Sequence, residues 1–497
     1  MKTHGKKDAS ITVSLCLAFT AIAVLLLTLA EGARYDGLKA DAEDLTNLAA
    51  ESLCAGYQPF LFERYRMFFL DVGFGQGKWT MQHAEDELRD FFCENTSAGN
   101  RGDGIFLYGM HADAQVDGYL LATDGAGTVF AAQAAKTMKK TIGERAAKEI
   151  RNRIQQVQKT EQEAEDPGGA IDHARKALEG MEEKTQAEDA GDKGNLLGQA
   201  EPSHREETEN PLEALKQLQR QGILTFVMPP GKTVSSKTIS VDNCLMKRTC
   251  RSGNLKLKDR AGWYERILMQ EFIKPLAGSA VSPDETGVLS YGTEYLICGK
   301  DSDVSNLKGT VNRLLLLREA ANYLYLQTDQ AKQSESLAIA GAIGGALANP
   351  AVVGAIHQGI LAAWAYVESI SDVKGLLAGG KIPLIKSPDS WHTQLSAFSE
   401  SLAGEYAGEA RGFTYENYLD VLLYGKSLKQ IAYRSMDLME KNMQQEKQYA
   451  ACRMDYMAAG VRIAAEYDAK PVFLGIFGED RGIWYHFKEQ SEYLYEH

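Results

Sequence analysis

"ITVSLCLAFTAIAVLLLTLAEGARYDGLKADAEDLTNLAAESLCAG" (residues 11–56) decides how the rest of the chain is read. From Ile11 to Ala30 it carries no charge over about 20 residues, the length at which a helix crosses a hydrocarbon core of roughly 30 Å. The apolar part of a secretory signal is usually shorter, about 7 to 15 residues, although Thr28 and Ala30 weakly satisfy its small-residue cleavage rule. Lys2, Lys6 and Lys7 precede the run, whereas Glu31, Asp36, Asp41, Glu43 and Asp44 follow it. The positive-inside rule therefore places residues 1–10 in the cytoplasm and everything beyond Glu31 outside the cell membrane. No proline interrupts the chain before Pro59, and Leu38, Ala42, Leu45, Ala49 and Leu53 recur at spacings of three and four, the mark of one apolar helix face. The pattern predicts a transmembrane helix over 11–30 that continues as an amphipathic stalk helix over 31–56, about 70 Å at 1.5 Å per residue. The alternative is an anchor followed by a separate surface helix.

Composition narrows the remaining choices. The 497 residues are 44% hydrophobic with a net charge of −13, enough apolar material for a sizeable core and too little clustered Lys and Arg for nucleic acid. Seven cysteines are scattered and form no CxxC pair, which excludes a zinc ribbon. Cys244 and Cys250 are close enough to bridge in an oxidising compartment; buried thiols are the alternative.

The stretch "AEGARYDGLKADAEDLTNLAAESL" resembles the membrane-proximal signature of TadE/TadG-type proteins, pilin-like components of bacterial Tad (Flp) pilus systems. Glu31, Gly32 and Arg34 match its acidic–Gly–Arg junction, and Ala42, Asp44, Leu48, Ala49 and Ala50 match the helix that follows. "YQPFLFERYRMFFLDV" (57–72), "YGTEYLICGKDSDVSNL" and "RSMDLMEKNM" are similar to blocks of a large family of uncharacterised envelope proteins in Gram-positive anaerobes. The resemblance implies an envelope component associated with a pilus or secretion system, with Glu31, Gly32 and Arg34 as its assembly junction. One departure is plain: Gly5 is followed by Lys6 and Lys7, and the fifth residue after it is Ser10, where a type IV prepilin carries glutamate.

Beyond the stalk the pattern predicts an α+β extracellular domain in two stretches, 57–159 and 211–497, separated by a disordered or partly helical acidic insertion over 160–210. In the first stretch, "GIFLYGM" (104–110) and "VDGYLLATD" (116–124) read as strands, "TDGAG" (123–127) as a turn, and 128–159 as one long, mostly exposed helix. In the second, Pro211–Gln221, 262–277, 300–327, "TYENYLDVLLYG" and 426–466 read as helices. "GILTFVM" (222–228), "EYLICG" (294–299) and "KIPLIK" (381–386) read as strands. "PVFLGIF" and "GIWYHFKEQSEYLYEH" read as an aromatic hairpin around "GEDRG". Residues 337–367 are uncharged for long enough to suggest a second span. Asn349-Pro350 divides them, however, and their Ala/Gly composition favours two closely packed buried helices.

No catalytic constellation emerges. "GFGQGKW" (73–79) misses the P-loop spacing at Val72 and Trp79. "DSDVSN" (301–306) misses the calcium-loop glycine at Asn306 and its glutamate at Asn312. His83 lacks the second histidine of HExxH, no GxSxG occurs, and His357 reads as a core residue. The chain is therefore expected to need no cofactor, metal or small-molecule ligand and to be no enzyme. The lipid bilayer and other pilin-like or secretion-system proteins are its expected partners. A structural or adhesive surface protein unrelated to pili, or a tethered enzyme, are the alternatives.

Overall fold

The structure, a computed structural model, describes residues 5–96, 109–164, 166–189, 211–212, 215, 222–257, 262–344, 349–404, 406, 408–473 and 484–495. The described residues divide into two compact units. The first unit holds residues 1–133, 249–260 and 439–497; the second holds 134–248 and 261–438. Helix predominates, and all the named strands fall in the first unit.

In the first unit, α1 runs unbroken from Gly5 to Ala55, as expected of a stretch without proline. Gly56 then ends it, and Pro59 opens the short helix α2 (Pro59–Tyr65), whose first turn Gln58 caps through Phe60 N. The sheet has β3 (Met457–Ala469) at its centre. Strand β2 (His111–Leu121) pairs along one edge; β4 (Tyr485–Leu494) and the two-residue β1 (Leu70–Asp71) pair along the other, all antiparallel. One face is covered by the distal half of α1 and by α3 (Gln82–Thr96). There Leu38, Ala42, Ala49 and Leu53 pack with Leu88, Phe92, Val461, Ile463, Ala465 and Tyr467. The stalk stripe thus meets a sheet, as its periodicity requires. The other face is polar. A bulge between Val116 and Gly118 turns Asp117 onto that face, where it accepts from Arg462 Nε at 2.9 Å and Gln490 Nε2 at 3.2 Å.

The turn after β2 has three successive left-handed residues, Gly125, Ala126 and Gly127. Asp124 holds it by accepting from Leu121 N and Gly253 N. "GFGQGKW" is likewise a turn: Asp71 accepts from Gly73 N and Gly75 N, and Gly75 and Gly77 take positive φ.

The second unit is helical around α12 (Pro350–Leu377), capped by Asn349 and buried from Ile360 through Leu377 except Tyr366. Its length and composition would pass for a membrane span, but its buried part carries Glu368, Asp372 and Lys374, each with partners inside the unit. Arg318 Nε meets Asp372 at 3.0 Å, and Lys386 Nζ lies 2.7 Å from both Asp372 and Glu368. Asn322, Tyr418 and Thr393 take up the remaining bonds. Such a network costs desolvation and is retained only when its members are all satisfied. Helix α10 (Asp303–Leu326) supplies Arg318 and Asn322, and α11 (Gln330–Gly344) packs on α12 with one side exposed.

Several sequence expectations need correction. Of the acidic stretch, expected to be disordered or partly helical, residues 167–189 form helix α6 (Pro167–Asp189), with Ile171 and Ala174 buried. Its apolar face docks on α12, where Gly359 leaves room for Ala174; residues 190–210 lie outside the described part. Residues 128–159 form two helices, α4 (Asp124–Lys139) and α5 (Glu144–Glu163), each with one buried side. "GILTFVM" and "EYLICG" are helical turns, α7 (Ile223–Val227) and α9 (Gly292–Cys298), not strands. Both are short apolar runs, for which periodicity does not separate helix from strand. The helix expected over 426–466 stops with α15 (Leu428–Met443), and 457–469 is the central strand β3. The closing hairpin exists, but its first arm is β3; only Pro471–Phe473 of "PVFLGIF" are described, as irregular backbone, and "GEDRG" lies outside the described residues. "KIPLIK" makes isolated bridges only. Of "GIFLYGM" only Gly109 and Met110 are described, and of Pro211–Gln221 only 211, 212 and 215. The other three helices fall where expected, at α8 (Trp263–Ala277), α10 and α14 (Tyr415–Tyr424). The seven cysteines form no disulfide.

A Cβ at Gly359 would lie 2.2 Å from Ala174 Cβ. Gly359→Leu is therefore expected to push α6 off α12 at a cost of about 1–3 kcal/mol. Hydrogen exchange should rise over 167–179 in the variant; unchanged protection there would contradict this docking.

Candidate functional site

The expected junction residues lie in the middle of α1. Ahead of it, the apolar side chains from Ile11 to Leu29 point into open space: Leu15 is 71% exposed, Phe19 72% and Leu29 63%. At Glu31 the pattern reverses, with Glu31 only 2% and Arg34 only 4% exposed. Three residues apart on a helix, the two share one face, and Arg34 Nη1 donates to Glu31 Oε1 at 2.8 Å. The other carboxylate oxygen accepts from Phe473 N at 2.6 Å and Val472 N at 3.1 Å, just beyond the end of β3. Tyr485, first residue of β4, has its phenol pushed up by burial and then by the adjacent Glu31 carboxylate, to which it also hydrogen-bonds. Its ring meets Tyr35 edge-on at 5.1 Å. Gly32 is not drawn in: it is exposed, and a Cβ there would touch nothing within 4 Å.

Two further polar fixes hold the distal half of α1. The Tyr467 hydroxyl donates to Ala42 O and lies 2.7 Å from Thr46 Oγ1; the Tyr495 hydroxyl donates to Cys54 O at 2.5 Å. Sequence reading found Glu31 and Arg34 but missed Val472, Phe473 and Tyr485. Backbone amides leave no signature in a sequence, and Tyr485 stood in an expected aromatic strand.

Other clusters in the two units carry polar and titratable side chains. The polar sheet face holds an open cleft of about 590 Å³ lined by Asp113, Gln115, Asp117, Glu466, Lys488 and Gln490. Two pairs cross the strands there, Lys488 with Glu466 and Arg462 with Asp117, a ladder that stabilises a sheet. In the second unit Glu294 is fully buried, and burial raises its carboxyl to about 7. Bonds from Ala280 N and the Tyr415 hydroxyl pull the other way, and Glu416 pushes it further up. Such a value would suit a general acid or base. Glu294, however, lines neither described cleft, and its second oxygen has no hydrogen-bond partner among the described residues. Asp303, from the calcium-like stretch, is buried and accepts from Ser290 N, Tyr291 N and Ser235 Oγ, which makes it a loop organiser. His357 is buried, as expected, and burial pushes its imidazole down. No metal-holding group of three or more His, Cys, Asp or Glu occurs among the described residues.

Residues 201–469 match a family of unknown function, DUF5702. The match spans more than half of the chain, which therefore belongs to this family. No curated protein and no solved structure matches the chain.

Glu31→Ala leaves the buried Arg34 guanidinium without its carboxylate and the amides of 472 and 473 without an acceptor. Removing one member of a buried pair costs about 3–5 kcal/mol, so hydrogen exchange should rise over 470–473 and 485–487, with α12 unaffected. Protection unchanged at Val472 and Phe473 would show that the clamp does not hold them.

Burial lifts Glu294 from 4.5 to about 7 in the folded chain. The fold thus favours the protonated form, and its contribution is fully present below about pH 4.5 and lost as pH rises to 7, on the order of 3 kcal/mol. Glu294→Gln should raise the unfolding midpoint at pH 8 more than at pH 4. Equal shifts at both pH values would contradict the assignment.

Proposed function

We propose that this chain is a membrane-anchored, surface-exposed, pilin-like component of a Tad-type pilus or secretion assembly, acting through protein contacts and not by catalysis. The observation that carries the reading is the two-part character of α1. One uninterrupted helix offers a fully exposed apolar half and a half buried on a sheet, with the change at Glu31. At roughly 1.5 kcal/mol or more for each large apolar side chain, the half from Ile11 to Leu29 represents more than about 10 kcal/mol of unfavourable exposure in water. That equals the net stability of a whole domain, about 5–15 kcal/mol, so a bilayer is its natural medium. The charge asymmetry favours the first ten residues in the cytoplasm and the chain beyond Glu31 outside. An anchor rigidly continued into a sheet-backed stalk fits the TadE/TadG-like junction.

The degenerate signal at Gly5, Lys6, Lys7 and Ser10 favours a second reading, a non-polymerising structural or adhesive protein of the cell surface. Both readings share the anchor and its topology and differ in partners. Protease treatment of intact native cells should remove the two units and spare an N-terminal tag. Cross-linked purification of the full chain from native membranes should recover pilin-like and secretion-system proteins. Recovery of cell-wall components alone would favour the second reading, and a body protected in intact cells would contradict both.

A further inference from the structure

In the second unit, a cavity of about 230 Å³ opens between α5, α10 and the end of α14, lined by Glu161, Arg313, Leu316, Leu317, Val421 and Lys426 among others. Its floor is aliphatic, and Leu316 stands 65% exposed on a helix whose other apolar side chains are mostly buried. Its rim is cationic. Arg313 Nη1 donates to Ile297 O at 3.0 Å, and nearby Arg434 Nη1 donates to Leu296 O at 2.7 Å, so each supports the C-terminal end of α9, where positive charge is favoured. Lys426 has no such use: its ammonium makes no hydrogen bond or ion pair within 4 Å among the described residues. Burial first, then the charges of Arg313 and Arg434, push its ammonium down. The single acid on the rim, Glu161, is exposed at the end of α5 and forms no ion pair with Arg313 or Lys426.

A lysine whose charge feels those of Arg313 and Arg434, beside an exposed leucine over an aliphatic floor, is unfavourable in the free protein. A ligand that brings a carboxylate and an apolar side chain together would relieve both defects. A cavity of this volume admits a side chain or two, below the roughly 300–1,000 Å³ of small-molecule sites, and peptide recognition commonly pairs an apolar anchor with a fixed charge. We propose that this groove docks an acidic, apolar peptide segment of a partner protein, its Leu- or Phe-type side chain over Leu317 and Val421 and its carboxylate between Arg313 and Lys426. The proposal is independent of whether that partner belongs to a pilus.

The test uses the full chain in nanodiscs of neutral lipid and fluorescent octapeptides that combine Leu or Phe with neighbouring Asp or Glu. Saturable binding is expected, falling about tenfold or more in Lys426→Glu and in Leu316→Asp. Neither side chain makes a hydrogen bond or ion pair among the described residues, and unchanged circular dichroism confirms folding of each variant. Peptides with Lys in place of the acids, or Ser in place of the apolar residue, should bind far more weakly. The proposal is overturned if no acidic–apolar peptide binds, if either variant binds like the parent, or if the Lys-substituted peptides bind equally well. Binding of anionic phosphatidylglycerol vesicles that Lys426→Glu abolishes, without peptide binding, would assign the groove to a lipid surface and likewise overturn it.

Discussion

The first unit depends on what happens to the Glu31 carboxylate. It is enclosed on the flank of a helix, one oxygen on Arg34 and the other on the amides of Val472 and Phe473. An ionised carboxylate in such a place is tolerable only if its charge is matched and its lone pairs are filled. Both conditions are met from two distant parts of the chain. The chain leaving the central strand is thereby fastened to the point where α1 changes from exposed to buried. Further along, Tyr467 on Ala42 and Tyr495 on Cys54 repeat the fastening, with the Leu38–Leu53 stripe between them packed on the sheet. The helix therefore cannot swing independently of the sheet without breaking polar bonds and exposing apolar area together.

This changes what the junction means. An acid at the edge of an apolar run invites the idea that it reaches for another subunit. Here its hydrogen-bonding capacity is used within its own unit. Its proposed role is to fix the direction in which the apolar half leaves the first unit. Under the proposed function, partner contacts would fall to other surfaces, such as the groove beside Leu316 and Lys426.

The legible parts of the sequence were those with a long, one-sided period. α1, α8, α10 and α14 follow from the residue pattern, and in the structure Ser302 caps α10 and Thr414 caps α14. The failures have physical causes. "MAAGVRIAAEYDA" is rich in good helix formers, yet it becomes the central strand because neighbours on both edges supply its hydrogen bonds; strand preference is set by such context more than by intrinsic propensity. "EYLICG" has strand-like composition, but a seven-residue helix buries its Tyr295 and Leu296 equally well. The acidic stretch reads as disordered or partly helical because its composition offers little apolar surface of its own. Ile171 and Ala174 gain a surface only because α12 presents Gly359 opposite them. Of the junction, the Glu31–Arg34 pair could be read from its spacing at the end of the apolar run. Its amide partners, more than four hundred residues away, could not.

The central claim is mechanical: one rigid helix joins the exposed apolar half to the sheet-backed half across Glu31. Spin labels at exposed positions Thr20 and Leu48, in a chain with its native cysteines replaced, measure it directly by pulsed dipolar spectroscopy in nanodiscs. A continuous helix predicts a single narrow distance near 42 Å, from 28 steps at about 1.5 Å each. A markedly shorter or broad distribution would mean that the helix breaks near Glu31 and would contradict the account.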